Sequence, residues 1–190
     1  MVEAVQHNLS GVVEVTPKKL ADSRGYFSEA YNKHAWHALG IDVDFVQDNI
    51  SLSVEKGVLR GLHFQTPPYA QAKLVRVLAG AVFDVAVDIR TGSPTFGDWV
   101  GVELTADKGN QLFIPAGFAH GFLTLTPNAQ VFYKVSEYYS PACDRSFRFN
   151  DPAIGIQWPD VGVPFSFSEK DRTAPMLNEL DTGFVYEATA

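Results

Sequence analysis

Two of the five histidines stand in runs that could do chemistry. His63 lies in Gly57-Val-Leu-Arg60-Gly-Leu-His63-Phe-Gln65, and His120 in Ile114-Pro-Ala-Gly117-Phe-Ala-His120-Gly-Phe122. A bound metal needs at least three ligands. One His from each run gives two, and neither a second His nor a nearby Glu follows His63. No metal and no other cofactor is therefore expected. Two histidines left in one pocket point to acid–base work or anion binding; the alternative is a pair of satisfied core histidines. His34 and His37, spaced i, i+3, lack a completing ligand, and His7 is expected in solvent near the terminus. The one cysteine, Cys143, excludes an intrachain disulfide framework and a four-cysteine zinc site.

Other polar residues are placed by strand parity, because side chains alternate faces along a strand. In FVQDNIS, Gln47, Asn49 and Ser51 share a face with Phe45, while Val46, Ile50 and Leu52 share the other with Asp48. In AVFDVAVDIR, Phe83, Val85, Val87 and Ile89 form an apolar face, and Asp84, Ala86 and Asp88 face either solvent or a polar pocket. Lys73 shares a face with Val75 and Val77, as a strand end reaching water or a group working in a cavity. Tyr133 shares one with Val131 and Val135, where a buried hydroxyl needs a partner. Gln47 and Asn49 read equally well as edge-strand polars. Alternation puts Arg60 and His63 on opposite faces unless Gly61 hosts a bulge.

These residues sit in a chain of short β-rich runs broken by glycine and proline. The runs are Val12–Val15, Tyr26–Tyr31, Phe45–Ser53, Val58–Phe64, Lys73–Leu78, Ala81–Arg90, Trp99–Leu104, Gln111–Ile114, Gly121–Leu125 and Ala129–Tyr138. Asn32–Gly40 reads as a short helix closed by glycine, and Ser168–Leu180 as holding another, capped by Ser168. From about residue 140 the pattern turns irregular, with four prolines between 141 and 164. The expectation is one mainly β domain over residues 1–190, of ten or so strands, with an irregular C-terminal extension. The 190 residues are 19% charged and 46% hydrophobic, with a net charge of −7. That balance argues against a protein built to coat nucleic acid, without excluding a small basic pocket for a phosphorylated ligand. No apolar run is long enough to cross a membrane, and the N-terminus shows no basic-then-apolar leader. A cytoplasmic protein is expected.

The spacing Pro115-x-Gly117-x-x-His120 resembles the second signature of cupin barrels. Wider segments resemble the dTDP-4-dehydrorhamnose 3,5-epimerase family: Asp22-Ser-Arg24-Gly-Tyr-Phe27-Ser-Glu29, Phe45-Val-Gln47-Asp-Asn49-Ile-Ser51, the His63 and His120 runs, Tyr133-Lys-Val-Ser-Glu-Tyr-Tyr139, Phe149-Asn-Asp-Pro-Ala-Ile-Gly-Ile156 and Ser168-Glu-Lys170-Asp171. They span about residues 3 to 181 in order. The resemblance implies a mainly β, cupin-type jelly roll. It implies a metal-independent homodimer that inverts C3 and C5 of a dTDP-4-keto-6-deoxyhexose. It further implies His63 as base, Asp171 as its orienting carboxylate, Tyr133 as the opposite-face acid and Lys73 as a candidate for the C4 oxyanion. Arg60 and His120 resemble diphosphate contacts, and Gln47 and Asn49 substrate contacts. Arg24 and Glu29 resemble nucleotide contacts supplied by the partner chain, Phe27 and Tyr138 would stack on thymine, and Lys170 would meet substrate or phosphate. Position 144, a substrate-contacting Glu in most of the family, is Asp144 here. A mono-epimerase acting at C3 or C5 alone is the nearest alternative reading. A keto-isomerase, a non-catalytic sugar-nucleotide binder and a metal-dependent cupin dioxygenase are more distant ones.

Overall fold

Thirteen strands and two short helices are seen in a computed structural model that describes residues 2–187. The first four strands are β1 (Glu3–Gln6), β2 (Val13–Thr16), β3 (Leu20–Asp22) and β4 (Gly25–Phe27), followed by α1 (Lys33–His37). Next come β5 (Gln47–Ser53), β6 (Leu59–Gln65), β7 (Lys73–Ala79), β8 (Ala81–Asp88) and β9 (Trp99–Thr105). The series ends with β10 (Gln111–Ile114), β11 (Phe118–Thr124), β12 (Ala129–Val135), β13 (Asp144–Ser146) and α2 (Glu169–Thr173). A six-stranded sheet, ordered β1-β2-β10-β7-β12-β5, faces a five-stranded sheet, ordered β13-β6-β11-β8-β9. Their strand pairs are antiparallel. This is the mainly β jelly roll expected.

Between the sheets lies a core that includes Val75, Val77, Val82, Leu104, Leu112, Ile114, Phe122 and Val131. A further layer packs on the outer face of each sheet, leaving part of the six-stranded one uncovered. On the six-stranded sheet, α1 lays Trp36 on Val13, Val15, Leu74 and Phe113. Asn32 starts that helix by accepting the amides of His34 and Ala35, and Gly40, with φ of +86°, follows its last turn. On the five-stranded sheet, the irregular segment after residue 146 supplies Phe147, Ile154, Ile156, Trp158, Leu177 and Phe184, packed on Val85, Val87 and Ile89. Both faces of β8 are therefore covered. Phe83, Val85 and Val87 pack under the C-terminal segment, which leaves Asp84, on the other face, to point inside the barrel.

Several boundaries differ from the sequence reading. The run Tyr26–Tyr31 is a strand only to Phe27, because Tyr31 leaves the strand to pack edge-on against Trp36 and Phe45, with ring centroids 5.7 and 5.6 Å away. β12 ends at Val135 rather than Tyr138. The strands β1, β3 and β13 went unmarked; β1 and β3 are exposed throughout and so show no alternation.

Candidate active site

The open end of the barrel holds a cleft with two lobes, about 430 and about 200 Å³. Three residues line both lobes and so mark their junction: His63, Lys73 and Tyr133. His63 comes from β6 in the five-stranded sheet, whereas Lys73 and Tyr133 come from β7 and β12 in the six-stranded sheet. The histidine and the tyrosine thus approach the cleft from opposite walls.

A bulge makes this possible. His120 pairs with His63 and Phe122 with Arg60, so two residues of β6 oppose one of β11. Gly61 takes φ of +122°, and a Cβ there would lie 2.6 Å from Gly121 Cα. Only glycine tolerates that approach and that backbone. The bulge turns Arg60 and His63 into the same cleft.

His63 Nε2 lies 2.6 Å from Asp171 Oδ1. Burial alone would raise Asp171, which is 3% exposed, but the hydrogen bond and charge of His63 and the Ser168 hydroxyl outweigh it and hold the carboxyl below its ordinary value. Asp171 is therefore ionised at neutral pH. Because the carboxylate only accepts, the hydrogen bond fixes a proton on Nε2, which in the neutral ring leaves the lone pair on Nδ1. A similar pair lies beside it: His120 Nε2 is 2.8 Å from Asp84 Oδ2. Burial pushes His120 below its ordinary value against the pull of Asp84, so its ring is uncharged at pH 7. Of the two groups expected at a diphosphate, Arg60 alone carries a fixed charge. Arg60 is held by Ser53 Oγ at 3.2 Å and the Leu52 carbonyl at 3.3 Å.

Lys73 is buried, with Nζ 3.3 Å from the His63 carbonyl. Burial pushes its ammonium down to about 8, opposed by the charges of Asp84 and Asp144. At pH 7 it remains mostly protonated in a site that disfavours its charge. Unfolding relieves that cost, since free lysine titrates near 10.4. The unfolded chain holds a proton that the folded one has lost between about pH 8 and 10.5, so stability rises with pH across that window. Lys73→Met is therefore expected to stabilise the fold at pH 7 by on the order of 3 kcal/mol. Urea unfolding checks this: the difference should shrink as pH rises above about 8, and equal stabilities at pH 7 would contradict it.

Burial also pushes the Tyr133 phenol above its ordinary value, so it stays protonated. The smaller lobe is lined by Gln47 and Asn49, joined by a 2.8 Å hydrogen bond, and by Asp144 and Lys170, whose Oδ2 and Nζ are 2.5 Å apart. The face of β5 that points inward is the polar one. Ile50 and Leu52 point outward and are 64% and 50% exposed.

Four expected site residues lie outside both lobes. Arg24 pairs with Asp22 at 2.7 Å in the β3–β4 hairpin, and Glu29 accepts from Asn32. Phe27 and Tyr138 are exposed at 69% and 62%. Tyr139 lines the smaller lobe instead, its hydroxyl 3.3 Å from Asp144. Sequence reasoning also missed Phe122 and Phe167 in the larger lobe, and left Asp84 open between solvent and pocket. The parity of β5 already grouped Ser51 with Gln47 and Asn49, and it too lines the cleft. His7, expected in solvent, is partly buried with Nε2 3.9 Å from Glu14. Among the described residues no group of three or more His, Cys, Asp and Glu is arranged to hold a metal ion, and no helix is long and apolar enough to cross a membrane.

Comparison with known proteins agrees with this geometry. The family profile described as dTDP-4-dehydrorhamnose 3,5-epimerase matches residues 6–179. The enzyme of that name from Salmonella typhimurium is 51% identical over 94% of this chain and 97% of its own. The crystal structure of the Legionella pneumophila epimerase, in complex with dTDP-4-keto-L-rhamnose, superposes with a TM-score of 0.94 at 45% identity, covering 99% of this chain and 100% of that one. A 3'-monoepimerase from Streptomyces bikiniensis, in complex with dTDP-quinovose, is also similar, at 37% identity and a TM-score of 0.83 over 91% of this chain and 88% of that one. With its profile matched over most of its length and a relative half identical across it, this chain belongs to the dTDP-4-dehydrorhamnose 3,5-epimerase family.

Proposed function

We propose that this protein inverts both C3 and C5 of dTDP-4-dehydro-6-deoxy-D-glucose, giving dTDP-4-dehydro-L-rhamnose, without a metal or other cofactor. The observation that carries the reading is the placement of His63, tied to Asp171, and Tyr133 on opposing walls at the junction of the cleft. Epimerisation demands that geometry, because a proton must leave one face of the sugar carbon and another must arrive on the opposite face.

In this account His63 Nδ1 takes the proton at C3 or C5, and the C–H electron pair moves into an enolate on the C4 oxygen. The ammonium of Lys73 stabilises the oxyanion, a charge that develops only on deprotonation. The Tyr133 hydroxyl then protonates the carbon from the other side. That leaves an imidazolium and a phenolate, which exchange with solvent before the second inversion. C3 and C5 both flank the ketone, so one set of groups serves both after the sugar ring shifts. Arg60 is assigned to the diphosphate and Gln47, Asn49, Asp144 and Lys170 to polar groups of the substrate. His120 is assigned a neutral hydrogen bond in the same cleft.

We also propose a homodimer. Val46, Ile50, Leu52, Val54 and Leu78 leave an apolar stretch exposed on and beside the six-stranded sheet, beside a hairpin that exposes Leu20, Tyr26 and Phe27. Covering that face with a second copy would bring Arg24, Phe27 and Glu29 to the neighbour's nucleotide, with Tyr138 on the thymine. Sedimentation equilibrium should give twice the chain mass of 20.9 kDa. The single-chain mass at micromolar concentration would overturn the dimer. A nucleotide-sugar substrate fits a cytoplasmic enzyme, which cell fractionation checks.

The function is tested by incubating the protein with dTDP-4-keto-6-deoxy-D-glucose, a 4-keto reductase and reduced nicotinamide cofactor, then reading the sugar's stereochemistry by NMR. The L-rhamno configuration is expected. A product inverted at one carbon would make this a mono-epimerase, and an uninverted product would overturn the reading.

A further inference from the structure

The carboxylate that meets His63 has a second side-chain partner. Ser168 caps α2 from an extended backbone position, its Oγ 3.1 Å from the Asp171 amide nitrogen. That amide donates to Oγ, so the hydroxyl's own proton is free for another acceptor. Asp171 Oδ2 is that acceptor, 2.8 Å away. In an ordinary capping box the carboxylate at the third helical position reaches back to the cap's amide. Here its two oxygens go to His63 and to the Ser168 hydroxyl. The segment before the cap is fixed to the start of the His63 strand: Ser166 accepts from the Leu59 amide at 2.8 Å and donates to the Gly57 carbonyl at 2.9 Å.

We propose that Ser168 is a positioning residue for the base, holding Oδ2 of Asp171 so that Oδ1 stays aimed at His63 Nε2. The inference rests on the proposed function only in naming His63 as the base. The physical need is specific. A carboxylate turns readily about its last torsion, and Oδ2 of this buried group would be left without a donor if Ser168 lost its hydroxyl. Such a carboxylate turns away from His63 or takes up a proton. Either change frees Nε2–H and mixes the ring tautomers, so Nδ1 is no longer held as the basic atom. A five-residue helix has no stability of its own to resist this.

Two variants separate this role from simple capping. Glycine caps a helix nearly as well as serine but has no hydroxyl, whereas threonine keeps both the cap and the donor. Ser168→Gly should lower kcat on the order of 10- to 100-fold, the effect of losing a hydrogen bond to a charged group. KM and the calorimetric affinity for dTDP should stay close to wild type. Ser168→Thr should recover most of the lost kcat. Wild-type kcat in Ser168→Gly would overturn the proposal. So would a loss shared equally by kcat and dTDP affinity that threonine does not rescue. A readout independent of turnover is the His63 Nε2–H resonance in proton–nitrogen correlation spectra. It should be protected from solvent exchange in the wild type and in Ser168→Thr, and lost in Ser168→Gly. If the wild type exchanges no substrate proton, the epimerase reading fails, and the resonance alone then decides the role of Ser168.

Discussion

His63→Ala is expected to abolish exchange at C3 and at C5 together, lowering turnover on the order of 10²- to 10⁴-fold, the contribution typical of a positioned general base. No neighbour can take over. His120 is uncharged but deep, with its Nε2 engaged by Asp84. Lys73 is mostly protonated at pH 7, and the Tyr133 phenol is held in its protonated form. The proposed nucleotide contacts Arg24, Phe27 and Tyr138 lie outside the cleft, so calorimetric affinity for dTDP should change little. Solvent-deuterium exchange in the variant checks the point. Exchange surviving at one carbon would mean that a second base serves that carbon, and exchange surviving at both would remove His63 from the mechanism.

Tyr133→Phe is expected to separate two events that His63→Ala removes together. Proton abstraction from one face does not need a donor on the other, so exchange should persist. Net inversion, which needs delivery to the opposite face, should fall on the order of 10²-fold or more. The ratio of exchange to inversion, measured in one NMR time course, is the readout. Equal loss of both would reassign Tyr133 to holding the substrate. The fold should tolerate the change, since the ring packs against the barrel core and its hydroxyl faces the cleft.

Parity and glycine punctuation are local properties and so were legible, whereas the roles of the site residues came only from the family resemblance. Parity set Tyr133 and Lys73 on faces shared with valines, leaving open whether each reached a cavity, and a bulge at Gly61 stood as one way to bring Arg60 and His63 together, which the strand register shows. Ser168 was readable as a cap because a cap acts within three residues. Its second bond, to the carboxylate that meets His63, was not. Asp171 and His63 are 108 positions apart, and only the packing of the C-terminal segment joins them. That segment looked like an irregular appendage because its apolar residues follow no period. In the fold it is the cover of the five-stranded sheet, and this burial on both faces is what turns Asp84 inward. The polarity of β5 was ambiguous for the opposite reason. Its apolar residues lie outside and its polar ones inside, an inversion that makes sense only for a strand between a polar cleft and an uncovered apolar face. Tyr138 was named by resemblance alone, and parity could not find Tyr139 in the smaller lobe because β12 ends before it.

In the proposed reaction one base, held by Asp171, removes protons from both carbons flanking the ketone. Its most direct test is to mix the wild-type protein with dTDP-4-keto-6-deoxy-D-glucose in D2O and follow the sugar by NMR. The account predicts deuterium at both C3 and C5. Deuterium at one carbon only, or at neither, would contradict it.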